Sequence, residues 1–156
     1  MSRAPARGFT LLELLVVLVI AGIMLGVVSL NAMPGRQQAL QGDAQRIALL
    51  MQLARDEAIV RNRPIAFEAD QERYRFLIRD DNAVWTNLTQ DEMLHEREFK
   101  RAPVALSINP ATAASGNPMR IVFGREPVDK PFVLTLAVEG ASANIRADGV
   151  GHFVVE

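Results

Sequence analysis

Residues 9–30 read FTLLELLVVLVIAGIMLGVVSL, and this stretch decides how the rest of the chain must be arranged. Glu13 is the only charged residue among its 22 positions. As an α-helix the stretch would be about 33 Å long, because each residue adds about 1.5 Å. That length can cross the hydrocarbon core of a bilayer, which is about 30 Å thick. The sequence therefore predicts a transmembrane helix at 9–30 with one carboxylate near its start, where a charge is costly unless something uses it.

The composition limits what the rest of the chain can be. With 156 residues, 49% of them hydrophobic and 22% charged, the chain has room for one anchor and one modest globular domain. Of 17 basic and 18 acidic residues, 15 and 17 remain when Arg3, Arg7 and Glu13 are set aside. This near-neutral remainder lacks the basic field of a nucleic-acid-binding protein. The chain has no cysteine, which excludes disulfides and thiolate metal sites and leaves the redox compartment open.

The residues that flank the apolar run indicate how it is processed. A secretory signal peptide would be shorter and followed by an A-x-A-like cleavage site, whereas VVSLNAMPGR at 27–36 offers at best a poor match. Cleavage before the run is the alternative. Gly8 is the last small residue between the basic leader MSRAPAR and Phe9, so cleavage there would leave the anchor on the mature chain.

The stretch RGFTLLELLVVLVIAGIMLG at 7–26 resembles the class III signal of type IV pilins and type II secretion pseudopilins, with Glu13 fifth in the mature chain. The resemblance implies that a prepilin peptidase cleaves after Gly8 and that the new N-terminus, Phe9, is methylated. Arg3 and Arg7 agree with the positive-inside rule, which keeps this end cytoplasmic. The predicted location is the bacterial inner membrane, with a single pass and a periplasmic C-terminal domain.

The resemblance implies a role for Glu13 in assembly. In a filament of such subunits it would face the free α-amine of a neighbouring Phe9, and two otherwise costly buried charges would satisfy each other. Stabilisation by the helix dipole is the alternative explanation for a carboxylate in a first turn. Gly22 and Gly26 form a G-x-x-x-G pattern that permits close helix packing, although glycine is also common in membrane helices.

Beyond the anchor the apolar pattern keeps a helical period. Pro34 and Gly35 predict a kink or an interruption. The helix then continues to RNRP at 61–64, because Pro64 disfavours helix before it. An apolar stripe is predicted to pack on the domain's own sheet, with a coiled-coil seam as the alternative; it comprises Leu40, Ala44, Ile47, Met51, Ala54 and Ala58. The predicted outer face comprises Gln41, Asp43, Arg46, Arg55 and Asp56.

After Pro64 the period becomes that of strands. Seven are predicted, at 65–68, 74–79, 104–108, 121–123, 132–138, 143–146 and 153–155. The sequence DGVG at 148–151 predicts a hairpin turn, and NPATAASGNP at 109–118 a mobile loop. The predicted class is α+β, pilin-like, with a long helical spine on antiparallel sheet. The predicted segments are a leader (1–8), a transmembrane and assembly helix (9–30), its amphipathic continuation (31–63) and a β-rich periplasmic domain (64–156).

The C-terminal half refines the resemblance. FVLTLAVEG at 132–140, IRADGVGHFVVE at 145–156 and the modest length resemble the H-type minor pseudopilins of type II secretion. This implies a structural subunit of a periplasmic pseudopilus that drives export of folded proteins across the outer membrane. The implied partners are the prepilin peptidase, other major and minor pseudopilins, the inner-membrane assembly platform and membrane lipid; no nucleic acid is expected. The alternatives are a minor pilin that primes a type IV pilus and, more distantly, a membrane-anchored enzyme.

Few residues suggest chemistry of another kind, and we expect no enzyme, metal or cofactor. His95 lies in the charged stretch DEMLHERE, which is typical of a solvated turn, and His152 is predicted to be a partly exposed strand residue. The run 80–82, Asp-Asp-Asn, could supply oxygen ligands but lacks the spacing of an EF-hand, so a polar turn is expected. Trp85 and Phe99 are expected to be core or loop-anchoring aromatics.

Overall fold

The computed structural model describes residues 11–126 and 128–156, and for 25–34 it describes only the backbone. Within them lie one long helix, α1 (Leu11–Val60), a short 3-10 helix (Ala111–Ala113) and nine strands. The chain divides into two compact units, one ending at Gly35 and the other running from Arg36 to Glu156. All nine strands belong to the second unit, and the predicted α+β class is confirmed.

Pro34 does not stop the helix. α1 runs through Pro34 and Gly35, so the predicted interruption is wrong. A proline inside a helix removes one backbone hydrogen bond and costs about 3 kcal/mol. The loss is confined to one turn, and the residues that follow Gly35 include Arg, Gln, Ala and Leu, which are strong helix formers.

The end of α1 agrees with the prediction from RNRP. Asn62 adopts a left-handed φ of 53° just beyond the helix. The N–H of Asn62 donates to the carbonyl of Ile59 at 3.2 Å, and that of Arg63 to the carbonyl of Ala58 at 3.1 Å. These two bonds form a Schellman motif, which satisfies the last helical carbonyls and turns the chain towards the first strand.

The predicted apolar stripe of α1 is buried in full. Its members are at most 3% exposed: Leu40, Ala44, Ile47, Met51, Ala54 and Ala58. The predicted outer face is partly wrong, because Asp43 is only 2% and Arg55 only 9% exposed. Asp43 is buried because its Oδ2 accepts a hydrogen bond from the backbone N–H of Lys100 at 2.9 Å, which places residue 100 over this side of the helix. Arg55 lies next to Gly151 in the C-terminal hairpin.

The nine strands form two antiparallel sheets. The first has the order β3-β2-β1-β6, with β4 also paired to β2, and the second has the order β5-β7-β8-β9. The strands are β1 (Ile65–Ala69), β2 (Arg73–Arg79), β3 (Trp85–Asn87), β4 (Arg97–Glu98), β5 (Ala105–Asn109), β6 (Met119–Phe123), β7 (Phe132–Val138), β8 (Ala141–Ala147) and β9 (Phe153–Val155). All seven predicted strands are present, and β3 and β4 were not predicted.

The stripe of α1 and both sheets share one hydrophobic core. The first sheet contributes alternate side chains such as Phe67 and Phe76, whose ring centroids are 5.5 Å apart. The second sheet contributes Leu134 and Ile145, both fully buried. Burying one side chain of this size contributes about 1.5–3 kcal/mol, so the amphipathic half of α1 is held mainly by this core.

The loops differ in how well the sequence predicts them. The turn 148–151 joins β8 to β9 as predicted, with positive φ at Gly149 and Gly151. The predicted loop at 109–118 begins at the last residue of β5 and contains the short helix Ala111–Ala113. Ser115 also pairs with Arg120 through two backbone hydrogen bonds of 2.9 Å, so part of this loop is tied to β6.

Candidate functional site

Residues 11–24 of α1 expose apolar side chains on every side. All residues from Leu11 to Met24 are exposed, including Leu11 at 84% and Ile23 at 63%. An α-helix that is apolar all round is typically covered by lipid or by other helices. Glu13 lies in the first turn of α1 and is itself exposed. Its carboxylate therefore lies near the positive end of the helix dipole.

The other predicted assembly residues lie at or beyond the limits of the described segment. Gly8 and Phe9, the predicted cleavage and methylation positions, fall outside the described residues. Gly22 is in α1, and a Cβ added there would contact nothing within 4 Å. Gly26 is four residues later in the same helix, so both glycines lie on one face. Among the described residues, no helical stretch meets the length and apolarity required to cross a membrane.

A buried carboxylate lies on the face of the first sheet that points away from the core. Glu68 is only 2% exposed and pairs with Arg75 on β2 and with Arg120 on β6. The Nε of Arg75 donates to Oε1 at 2.8 Å, and the Nε of Arg120 donates to Oε2 at 2.9 Å. Burial acts to raise the pKa of Glu68, but hydrogen bonds and charge from Arg120 and Arg75 outweigh it and lower the pKa. The carboxylate therefore stays ionised and holds three strands together.

Trp85 covers part of this outer face. The guanidinium carbons of Arg120 and Arg79 lie 5.5 Å and 5.9 Å from its ring centroid, within cation–π range. Trp85 is half-buried, and Phe99 is buried with its ring 5.3 Å from that of Tyr74. The predicted anchoring role of both aromatics agrees with these contacts. The alternation of side chains along β1, β2 and β6 could have predicted from sequence that Glu68, Arg75 and Arg120 share one face. That they are directly paired follows only from the register of the strands.

The residues considered for catalysis or metal binding occupy turns. The ring of His95 contacts the carbonyl of Asp91 in the turn 91–95. His152 lies before β9 rather than in a strand, because the turn that starts at Asp148 extends to it. Its imidazole nitrogen is 2.7 Å from a carboxylate oxygen of Asp148. This bond, with the backbone N–H groups of His152 and Val150, lowers the pKa of Asp148 to about 2.

The polar run at 80–82 forms the predicted turn. Oδ1 of Asp80 accepts the N–H of Val84 at 2.8 Å, and Arg63 pairs with Asp81 at 2.6 Å. Within the described parts of the chain, no group of three or more acidic, histidine or cysteine residues is arranged to hold a metal ion. The features that remain as candidates for function are therefore surfaces: the apolar helix around Glu13 and the faces of the second unit.

Comparison with known proteins follows the same division of the chain. Residues 3–29 match the prokaryotic N-terminal methylation motif, and residues 43–151 match the model for the type II transport protein GspH. The second match covers more than half of the 156 residues. The chain belongs to the GspH family. The predicted resemblance to the H-type pseudopilins of type II secretion is thus confirmed.

Individual relatives of this GspH family member support the same assignment. The chain is 33% identical over 159 aligned positions to the type II secretion system protein H of Pseudomonas aeruginosa, and the alignment covers 92% of each chain. One structure of the minor pseudopilin EpsH of Vibrio cholerae superposes with a TM-score of 0.57 at 18% identity, over 75% of this chain and 95% of that one. A second EpsH structure gives a TM-score of 0.58 at 16% identity, over 76% and 94%. At these identities the structures establish the shared fold.

Proposed function

We propose that this member of the GspH family is a structural minor pseudopilin, assembled into a periplasmic pseudopilus that drives export of folded proteins across the outer membrane. The observation that carries the proposal is the combination of an N-terminal methylation motif at 3–29 with a GspH domain at 43–151 in one chain. The core and buried ion pairs make the second unit a well-packed subunit. The protein performs no chemistry in this proposal.

The N-terminal segment provides the anchor and the processing site. The segment 9–30 crosses the inner membrane once, with the leader in the cytoplasm and the second unit in the periplasm. Prepilin peptidase cleaves after Gly8, and Phe9 is then methylated. The basic leader supports this orientation, and the absence of charges other than Glu13 from 9–30 supports the membrane span.

Glu13 sets the register between neighbouring subunits. Its carboxylate pairs with the α-amine of Phe9 in an adjacent pseudopilin, while the apolar side chains around it contact lipid or other helices. At about 4 Å and an effective dielectric constant near 20, the attraction is about 4 kcal/mol before desolvation. Desolvation removes much of this gain, so the pair specifies position more than it stabilises. Gly22 and Gly26 offer a face without side chains, where a second helix can approach closely.

The decisive experiment replaces Glu13 in a strain that lacks the native copy. Glu13→Ala is expected to leave membrane insertion and processing intact, because losing a charge makes the segment more apolar. Assembly should fail, since a neighbour's amine would be left buried without a partner at a cost of about 3–5 kcal/mol. Glu13→Gln, which keeps the size but not the charge, should also be impaired. The measurements are the intact mass of the mature chain, cross-linking between cysteines placed near positions 9 and 13, and secretion of a reporter enzyme.

Gly8→Val serves as the control that separates processing from assembly. It should leave the leader uncleaved, because a side chain blocks close approach of the scissile backbone. A mature N-terminus other than Phe9 would contradict the processing step. If Glu13→Ala cross-links and secretes as the wild type does, the charge pair is not the reason for this residue, and the dipole explanation replaces it.

A further inference from the structure

A shallow pocket of about 460 Å³ lies at the end of the second unit where α1 enters it. Its walls are Arg36 of α1, the segment 100–103, Val138 at the end of β7 and the turn residue Glu139. Two hydrogen bonds hold these walls together. The N–H of Lys100 donates to Asp43 on α1, and Nε2 of Gln37 donates to the carbonyl of Ser142 after the turn, both at 2.9 Å.

Three cations surround this pocket without a counter-charge in contact. Arg36, Lys100 and Arg101 form no ion pair with any residue that the structure describes. Elsewhere in the unit many arginines contact a carboxylate, as Arg75 does with Glu68 and Arg146 with Glu156. The pocket contains one carboxylate, Glu139, so its formal charge is positive although the second unit as a whole has more acidic than basic residues.

The position of the pocket along the chain restricts what the cations can meet. Arg36 follows Leu30, the end of the proposed membrane span, by six residues. Six residues of chain reach at most about 20 Å, so Arg36 stays near the membrane surface in any arrangement of the two units. Lys100 and Arg101 follow Leu30 by about 70 residues, outside the roughly 15–20 residues whose charge sets membrane orientation. Folding thus places Lys100 and Arg101 beside Arg36, and these two cations lie too far along the chain from the anchor to oppose export.

We infer that the pocket formed by Arg36, Lys100 and Arg101 binds the phosphate of anionic lipid headgroups in the outer leaflet of the inner membrane. Guanidinium groups bind phosphate through paired N–H donors, and a lysine adds a compact charge. Screening at physiological salt limits such attraction to about 8 Å, so it acts only while the unit rests on the membrane. The contact would orient the subunit before assembly and be released when the subunit leaves the bilayer. This inference rests on the membrane anchor proposed above.

The test uses the mature full-length protein in lipid nanodiscs. Since the chain has no cysteine, Ser142→Cys beside the pocket takes a single fluorophore. A trace of lipid with a nitroxide-labelled headgroup quenches the label on contact. We expect stronger quenching in discs of phosphatidylcholine with phosphatidylglycerol than in phosphatidylcholine alone. Because each cation near a membrane surface contributes about 1 kcal/mol, Lys100→Gln should lower the ratio of contacting to free molecules about fivefold, and neutralising all three cations should abolish the lipid dependence.

A matched control neutralises cations elsewhere on the same unit. The double variant Arg125→Gln, Lys130→Gln alters two exposed cations between β6 and β7, outside the pocket, and should not change quenching. Unchanged circular dichroism will show that the exposed substitutions leave the fold intact. Equal quenching in both lipids, or contact only in the presence of other pseudopilins, would overturn the lipid site. Failure of the protein to remain in the discs would overturn the anchor as well, so the two failures are distinguishable.

Discussion

At the scale of single residues, Glu68 is the charge on which the outer face of the first sheet depends. Glu68→Gln should lower the free energy of unfolding by about 2–3 kcal/mol at neutral pH, because two arginines lose their counter-charge. The effect should be below that of a fully buried pair, since Arg75 and Arg120 are 37% and 33% exposed. Urea unfolding of residues 31–156 measures it. Glu156→Gln, which breaks an exposed pair with Arg146, is the control and should change the free energy of unfolding far less, because solvent screens exposed pairs.

The stabilisation that Glu68 provides should depend on pH, and the direction of its lowered pKa fixes the sign of that dependence. Folding lowers the pKa of Glu68, so its ionised form contributes stability that is present above the unfolded value of 4.5. This contribution is lost as the pH falls through the lower pKa of the folded state. The difference between wild type and Glu68→Gln should therefore shrink on acidification. A difference that is constant from neutral to acid pH would show that the pair does not stabilise the fold.

Two glycines have similar backbone angles, so replacing each by alanine distinguishes backbone strain from crowding of the added side chain. Gly149 and Gly140 have φ of 82° and 77°, which alanine tolerates at about 1–2 kcal/mol. A Cβ at Gly149 would lie 2.4 Å from the carbonyl oxygen of Asp129, whereas one at Gly140 would meet nothing within 4 Å. Gly149→Ala should thus destabilise by about 1–3 kcal/mol more than Gly140→Ala. Equal melting temperatures for the two variants would contradict this contact between the hairpin and the segment before β7.

Sequence predicts some of these residues and misses others for a physical reason. Glu13 stands out because a lone charge in an apolar run violates a local pattern, and its leader supplies the context. Glu68 lies in a strand with ordinary alternation, and its partners Arg75 and Arg120 come from two other strands. Only the register identifies that contact. The role of Glu13 in assembly stays a prediction.

At the scale of elements, Asp43 connects α1 to the segment that precedes β5. Asp43→Ala should cost about 1–3 kcal/mol, because the N–H of Lys100 loses its acceptor in a partly buried position. Asp43→Asn keeps an oxygen there and should retain most of the stability. Asp56→Ala removes a 56% exposed carboxylate from the same helix and is the matched control, with an expected cost below about 1 kcal/mol. Urea unfolding midpoints that fall equally for Asp43→Ala and Asp56→Ala would contradict the connection.

Periodicity identified the long elements and failed on the short ones. The apolar stripe of α1 and six strands of five to seven residues were readable from their repeat, whereas the three-residue β9 was identified with the help of the glycine turn before it. β3 and β4 have only three and two residues, too few for any period, and both form on an edge of β2. At Pro34 the sequence predicted a break that is absent. The local cost of one proline is smaller than the combined helix propensity of the residues in the neighbouring helical turns. The type of each long element thus followed from sequence, whereas the short edge strands and the continuity of α1 depended on the surrounding structure.

At the scale of the whole molecule, the second unit brings together residues that no local pattern connects. Arg36 and Lys100 are separated by the second half of α1 and four strands, yet they line one pocket. The charge composition predicted only a near-neutral domain, because a sum over the sequence does not show where charges collect. The order of strands in the two sheets was likewise not predicted. Both the cluster of cations and the strand order arise only in the tertiary fold. The lipid contact is proposed at that cluster.

The division after Gly35 predicts that the second unit is stable without the anchor. A truncated protein of residues 31–156 lacks the apolar segment and keeps the complete core of α1 and the two sheets, so it should be soluble and unfold cooperatively. With no cysteine, its stability should be independent of reductant. Thermal melts followed by circular dichroism, with and without dithiothreitol and EDTA, test this.

The melts with and without EDTA test whether a bound metal ion stabilises the second unit. The apolar core and the pair of Glu68 with its arginines hold the unit together, so EDTA should leave the melting temperature unchanged. A metal bound only to the folded state would stabilise it in proportion to its occupancy, and chelation would then lower the melting temperature by many degrees. Such a drop would contradict the prediction and point to the turn of Asp80 and Asp81. The variant Asp81→Asn would then have to abolish the sensitivity to EDTA while keeping the fold.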